Sequence, residues 1–447
     1  MLRTHAVRSE RFPSGTASAP RFLQRGLTPK SRGADATPLR CLIVNRAWCW
    51  AMLLLAIVGF AVPAIAATPD VDALLSSGKF EEGVVALEAH LKLEPRDDVA
   101  RLGSGAIQFV SAVQKLGRKL AVYGPRPRFD FSGRPAIADV PAPAEPLTYL
   151  RLRQINQEWL DDLARIDATL AKITSEEIKL PLHVGRATMN LGTAETRSLT
   201  LLPVLRQFQL TQNGREADFV IVFDRADVDW LRGYCHLLSA LSEIMLAYDG
   251  QELFDISAHR LFQHAVIPHP FLLEPNRSPV GGWFQFEEIA DAVAIIHMLR
   301  FPLVEPKRMP VALAHIEQTL SLSHQMWKRI QAETDNDREW IPGPKQKGAI
   351  NVAVTQEMLD NWMLALTETE QIVQGKKLLP FWRGKPTRGV NLRKAFLEPR
   401  QLDIVLWVQG TAATPYLEEG GLTKPDTWQQ INRAFGGQFV GFGMWFN

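Results

Sequence analysis

Between residues 227 and 248 the chain carries Asp229, Arg232, His236, Ser239 and Glu243, at successive spacings of three, four, three and four. On a regular helix that spacing puts all five side chains on one face. An imidazole between carboxylates is the material of general acid–base catalysis. His236 would be the base, oriented by Asp229 or Glu243, with Arg232 as a nearby cation; His236 could instead ligate a metal. The chemistry such a site suggests is hydrolysis. Against it stands a plainer reading of the same residues, as a solvated face or as an internal ion-pair network through Arg232.

Other groupings are weaker. His259, His264 and His269, with Asp255 before them, recur every five residues, which does not align them on one helix face. They make no HExxH pattern. Asp224, Asp227 and Asp229 superficially resemble an oxygen-ligand loop, but the required glycine and closing glutamate are missing. Asp224 or Asp227 fits better as the cap of the following helix. Glu287, Glu288 and Asp291 fall in a helix's first turns, where acids are favoured by its dipole. Trp340, Trp382 and Trp428 stand in Gly- and Pro-rich surroundings and could stack on a glycan or peptide. Phosphate-loop, dinucleotide, GxSxG, SxxK, CxxC and CxxCH patterns are all missing. No cofactor and no metal are therefore expected.

The elements that must position these residues are mostly helical. Apolar residues recur near a period of 3.6 over 149–173, 227–248, 311–331 and 354–373. The 227–248 stretch is the most apolar of them, which predicts a central helix, and Cys235 within it reads as a buried small hydrophobe. Shorter helices are expected at 253–266 and 286–299. The β-favouring run at 219–223 predicts a strand pairing with 180–190, and 402–410 predicts another short strand. The Gly- and aromatic-rich end, 432–447, should pack back on the helices. The fold class expected is mainly α: an α-rich globular domain at 147–447 with a minor β element, preceded by a helical hairpin at 70–121 and a Pro-rich connector at 122–146.

The hairpin carries Gly78, Phe80, Gly83, Leu87 and Leu91, and Pro95 ends it. Over about residues 71–110 this resembles the second half of a tetratricopeptide repeat, with Gly83 in place of the usual alanine and a shortened first helix. The resemblance implies a helix–turn–helix unit and a surface for a protein partner. One unit does not imply the groove that stacked repeats build.

Residues 51–67, AMLLLAIVGFAVPAIAA, form an uncharged apolar run ending in the small-x-small pattern Ala64-Ile65-Ala66. This reads as a signal peptide after a long polar leader, 1–66 in all. A retained membrane anchor is the alternative, although spanning needs about 20 apolar residues. The first 66 residues hold nine basic and two acidic residues, so the remaining 381 carry 41 basic against 46 acidic. An acidic body without a basic patch argues against nucleic-acid binding. Only Cys235 follows the expected cut, so no internal disulfide can form and the core must hold the domain. Stable membrane insertion after cleavage is not expected. The sequence thus points to a periplasmic or extracellular structural or interaction protein, with a hydrolase around His236 and a small-ligand or carbohydrate binder as alternatives.

Overall fold

The computed structural model describes residues 68–125, 145–190, 198–200, 219–274, 286–349 and 352–447. The leader with its apolar run, most of the connector and the stretch 201–218 lie outside them. Among the described residues the protein is mainly helical with a minor β content.

The first helices among the described residues are α1 (Val71–Ser77), α2 (Phe80–Leu93) and α3 (Asp98–Ala121). The Asp70 carboxylate caps α1 by accepting from the Asp72 and Ala73 amides. Gly78 then stops it in the left-handed region, φ 69°, where a side chain costs energy. Asp97 caps α3 through the Ala100 amide at 2.8 Å. After the connector comes α4 (Tyr149–Leu170), capped by Thr148. Four short strands follow, β1 (Leu180–Leu182), β2 (Thr188–Asn190), β3 (Ser198–Thr200) and β4 (Ile221–Phe223). As the sequence suggests, the start of 180–190 pairs with the 219–223 run, β1 with β4, Leu180 opposite Phe223; the end of that stretch, β2, pairs instead with β3.

The middle of the chain is α5 (Arg225–Ala247), α6 (Gln251–Leu261), α7 (Phe286–His297), β5 (Arg300–Phe301) and α8 (Arg308–Ala332). The last third is α9 (Gln356–Val373), β6 (Leu379–Pro380), β7 (Arg388–Val390), α10 (Leu392–Leu397), β8 (Leu402–Asp403), α11 (Ile404–Gln409), β9 (Leu417–Glu419), α12 (Pro425–Ala434) and α13 (Phe439–Phe446). Strands β6, β7 and β9 make a small antiparallel sheet, and β5 pairs with β8. The strand expected at 402–410 is corrected: only Leu402 and Asp403 are extended. Asp403 accepts from the Leu406 amide at 2.8 Å and Gly410 closes the turn at φ 117°, so the apolar residues between them coil into α11.

Helix α5 is the axis of the molecule. Val228, Leu231 and Cys235 join a core with α1 to α4 and β1. Ala226 and Ala247 join a second core with α8, α9 and the C-terminal helices, around Trp327, Trp362 and Phe446. The helical hairpin therefore shares its core with the main body. A smaller cluster holds α6 against the start of α4 through Tyr123, Ile155 and Phe254. No helix among the described residues is long and apolar enough to cross a membrane.

Candidate functional site

The five polar residues of α5 do share a face, and that face meets neighbouring helices. Asp229 has no exposed surface. It accepts from Arg225 at 2.7 Å and from Arg329 of α8 at 2.5 Å. Arg232 donates to Asp167 of α4 at 2.8 Å. His236 and His315 of α8 face each other Nδ1 to Nδ1 at 2.8 Å, so one ring donates and the other, unprotonated there, accepts. Ser239 is buried. Glu243 accepts from Arg308 of α8 at 2.8 Å, and Arg308 also donates to Glu305 and to Gln157 of α4. Arg153 of α4 completes the seam, donating to Glu305 and to the Leu246 and Tyr248 carbonyls.

The expected orienters of His236, Asp229 and Glu243, are thus engaged by arginines. The carboxylate beside its ring is Asp167, 3.5 Å from Nε2. Burial alone would raise the Asp167 carboxyl, but hydrogen bonds from His236 and Arg232 outweigh it and hold it below its usual value. Burial, with the neighbouring His236, pushes His315 down. Asp167, His236 and His315 thus stand in a row from α4 across α5 to α8. The sequence could not supply Asp167 or His315, since periodicity says which residues share a face but not which helix meets it.

The histidines of 259–269 do not join this group. His259 faces Asp291 of α7 at 3.7 Å, His264 lies in a backbone ladder with Tyr123 and Leu147, and the His269 ring lies tilted 6.1 Å from that of Phe271. Glu287 and Glu288 lie outside the described side chains. Of the three tryptophans, Trp340 and Trp428 are half-buried against Trp230 and Phe439, and only Trp382 is exposed.

Asp224 and Asp227 cap α5 as a reciprocal box: Asp224 accepts from the Ala226 and Asp227 amides, and Asp227 accepts from the Asp224 amide at 3.0 Å. Asp224 also meets Glu333 and Glu339, the ligand oxygens of all three lying within 4.8 Å of one another. Three carboxylates at that distance could share a hard cation or share protons. Burial is the main cause that raises each of them, and Glu333 is pushed up to about 7 by burial and by Asp224. Asp227, buried beside them, is raised well above its ordinary value by burial and by Asp224. Carboxyls raised this way serve one another as hydrogen-bond donors and acceptors.

Two apolar cavities complete the candidates. One, of about 460 Å³, lies between the end of α3, the start of α4, the end of α5 and the start of α6, with Trp159, Ile244 and Phe301 in its wall. The other, of about 230 Å³, lies between α3, β1 and α5. Neither is lined by Asp167, His236 or His315. Comparison with known proteins matches this chain to no family model, no curated protein and no solved structure.

Proposed function

We propose that the protein is a non-catalytic interaction protein of the cell envelope, and that the α5 stripe is a clamp between helices. The observation that carries this reading is the partnering of the stripe. Acid–base catalysis needs a group that can exchange a proton with a substrate in a cleft. Here Asp229, Arg232 and Glu243 are each neutralised by a charge from α4 or α8 or from α5 itself, and the Nδ1 of His236 is turned to His315. The repeat-like hairpin supports a protein partner: α2 leaves Val85 and Leu93 about two-thirds exposed. The apolar run at 51–67 supports export.

Cell fractionation with N-terminal sequencing tests this. The expected result is protein in the envelope fraction, processed near Ala66, with His236→Gln changing thermal stability and not localisation. An intact N-terminus in the cytosol, or a hydrolytic activity lost in His236→Gln at unchanged stability, contradicts it. The larger cavity favours a second reading, binding of a small apolar ligand, because its volume is in the range of ligand pockets, about 300–1,000 Å³. Its polar wall residues Arg153 and Asn156 are already bonded to backbone carbonyls of α5 and its C-terminal end, which disfavours a carbohydrate.

A further inference from the structure

Over its described positions, 289–297, helix α7 turns apolar residues outward. Of its three acids, Asp291, the one whose side chain is described, turns inward to Arg260 and His259 of α6. Among the described positions 289–297, those exposed are Ile289, Ala290, Ala292, Val293, Ala294, Ile296 and His297, and the six apolar ones at 100° per residue cover more than half of the helix circumference. A helix exposed to water normally shows the opposite pattern. Next to it, α11 leaves Val405, Leu406 and Val408 exposed, Val408 at 64%. The two helices are joined by the β5–β8 ladder, where Phe301 pairs with Leu402 and the Ile404 amide donates to the Leu299 carbonyl at 2.8 Å. Exposed apolar surface on two elements held together in this way marks a contact site.

The surroundings say what the contact is. Trp382, 64% exposed, donates its indole N–H to the Val408 carbonyl at 2.8 Å. The Arg383 guanidinium lies 4.2 Å over the Trp382 ring and donates to the Gln409 carbonyl. Arg383 and Arg400, both exposed, have no carboxylate partner among the described residues. Aliphatic side chains on helices, a tryptophan at their border and an unpaired arginine, Arg383, over its ring match the layers of a membrane surface, from acyl chains through headgroups to phosphate. A second copy fits worse, because two-fold pairing would bring two sets of unpaired arginines into one interface.

We propose that α7, α11 and Trp382 dock on an anionic lipid surface, the helices lying in the interface and Arg383 and Arg400 meeting phosphate. This rests on the interaction reading above and adds a lipid surface, on a different face, to the protein partner proposed for the hairpin. The test is hydrogen exchange of the full chain, free, with phosphatidylcholine vesicles, and with vesicles containing phosphatidylglycerol. A local readout separates this face from any attachment through 51–67. Amides at 289–297 and 404–409 should exchange about tenfold more slowly only on the anionic vesicles. Val293→Glu should abolish that protection, and Arg383→Glu should weaken it and make it vanish at high salt, both at wild-type melting temperature.

Protection that survives Val293→Glu overturns the proposal, as does co-sedimentation without protection of these amides. Slowing of the same amides with rising protein concentration and no lipid assigns the face to a second copy. That result overturns the lipid partner and leaves the interaction reading standing. Failure of the interaction reading would show separately, as turnover that depends on His236.

Discussion

At the residue scale the informative feature is how the ionisable side chains are partnered. Along α5 nearly every charge meets its opposite, and at the foot of that helix like charges meet instead. Asp224, Glu333 and Glu339 converge there, and Glu333 is held protonated up to about 7. A carboxyl whose folded pKa lies above its unfolded value binds more protons in the native state. Its contribution is therefore full below the unfolded value, near 4.5, and is lost as pH rises through about 7. Urea unfolding of wild type and Glu333→Gln should then diverge with pH. The wild type loses stability between about 4.5 and 7, and the variant loses less. Parallel curves would show that Glu333 titrates normally. Neither Glu333 nor Glu339 is conspicuous in the sequence, because the cluster forms only when the end of α8 and the loop after it fold back on the α5 cap.

At the element scale, what the sequence discloses depends on length. The long helices α4, α5, α8 and α9 lie within a few residues of where periodicity places them, and the Asp224 cap is legible in DRADVD. The two-residue strands β5 and β8 carry no readable pattern, and the apolar run in α11 suits a strand as well as a helix until its cap and Gly410 decide. Two substitutions test single elements. Gly78→Ala places a side chain at φ 69° with the Thr188 carbonyl oxygen 2.9 Å away, and should cost about 1–2 kcal/mol in chemical unfolding. Phe446→Ala in α13 removes a fully buried ring lying 4.8 Å from Trp327 and 5.4 Å from Trp362, for about 3–5 kcal/mol. A smaller loss would mean that α13 is a loosely held tail. Its seat argues otherwise: Trp230 donates to the Trp445 carbonyl, and the Asn447 amide donates to the Trp230 carbonyl where Gly233 leaves room.

At the scale of the whole molecule, α5 stands between two cores and is tied to both of its long neighbours by charge. Arg329 and Arg308 reach it from α8, and Asp167 reaches it from α4. The sequence shows that these polar groups line one side of a central helix. It does not show that the side is an interior seam, because the partners lie far away along the chain. A buried charge left without its partner costs about 3–5 kcal/mol, so the stripe fixes how the three helices dock whether or not any residue of it touches a ligand. A double-mutant cycle on Asp229 and Arg329, Asp229→Asn with Arg329→Gln, read by urea unfolding, tests that claim most directly. The clamp predicts that each single variant is strongly destabilised and that the two couple by about 1–3 kcal/mol. Single variants as stable as the wild type, with no coupling between them, would contradict it.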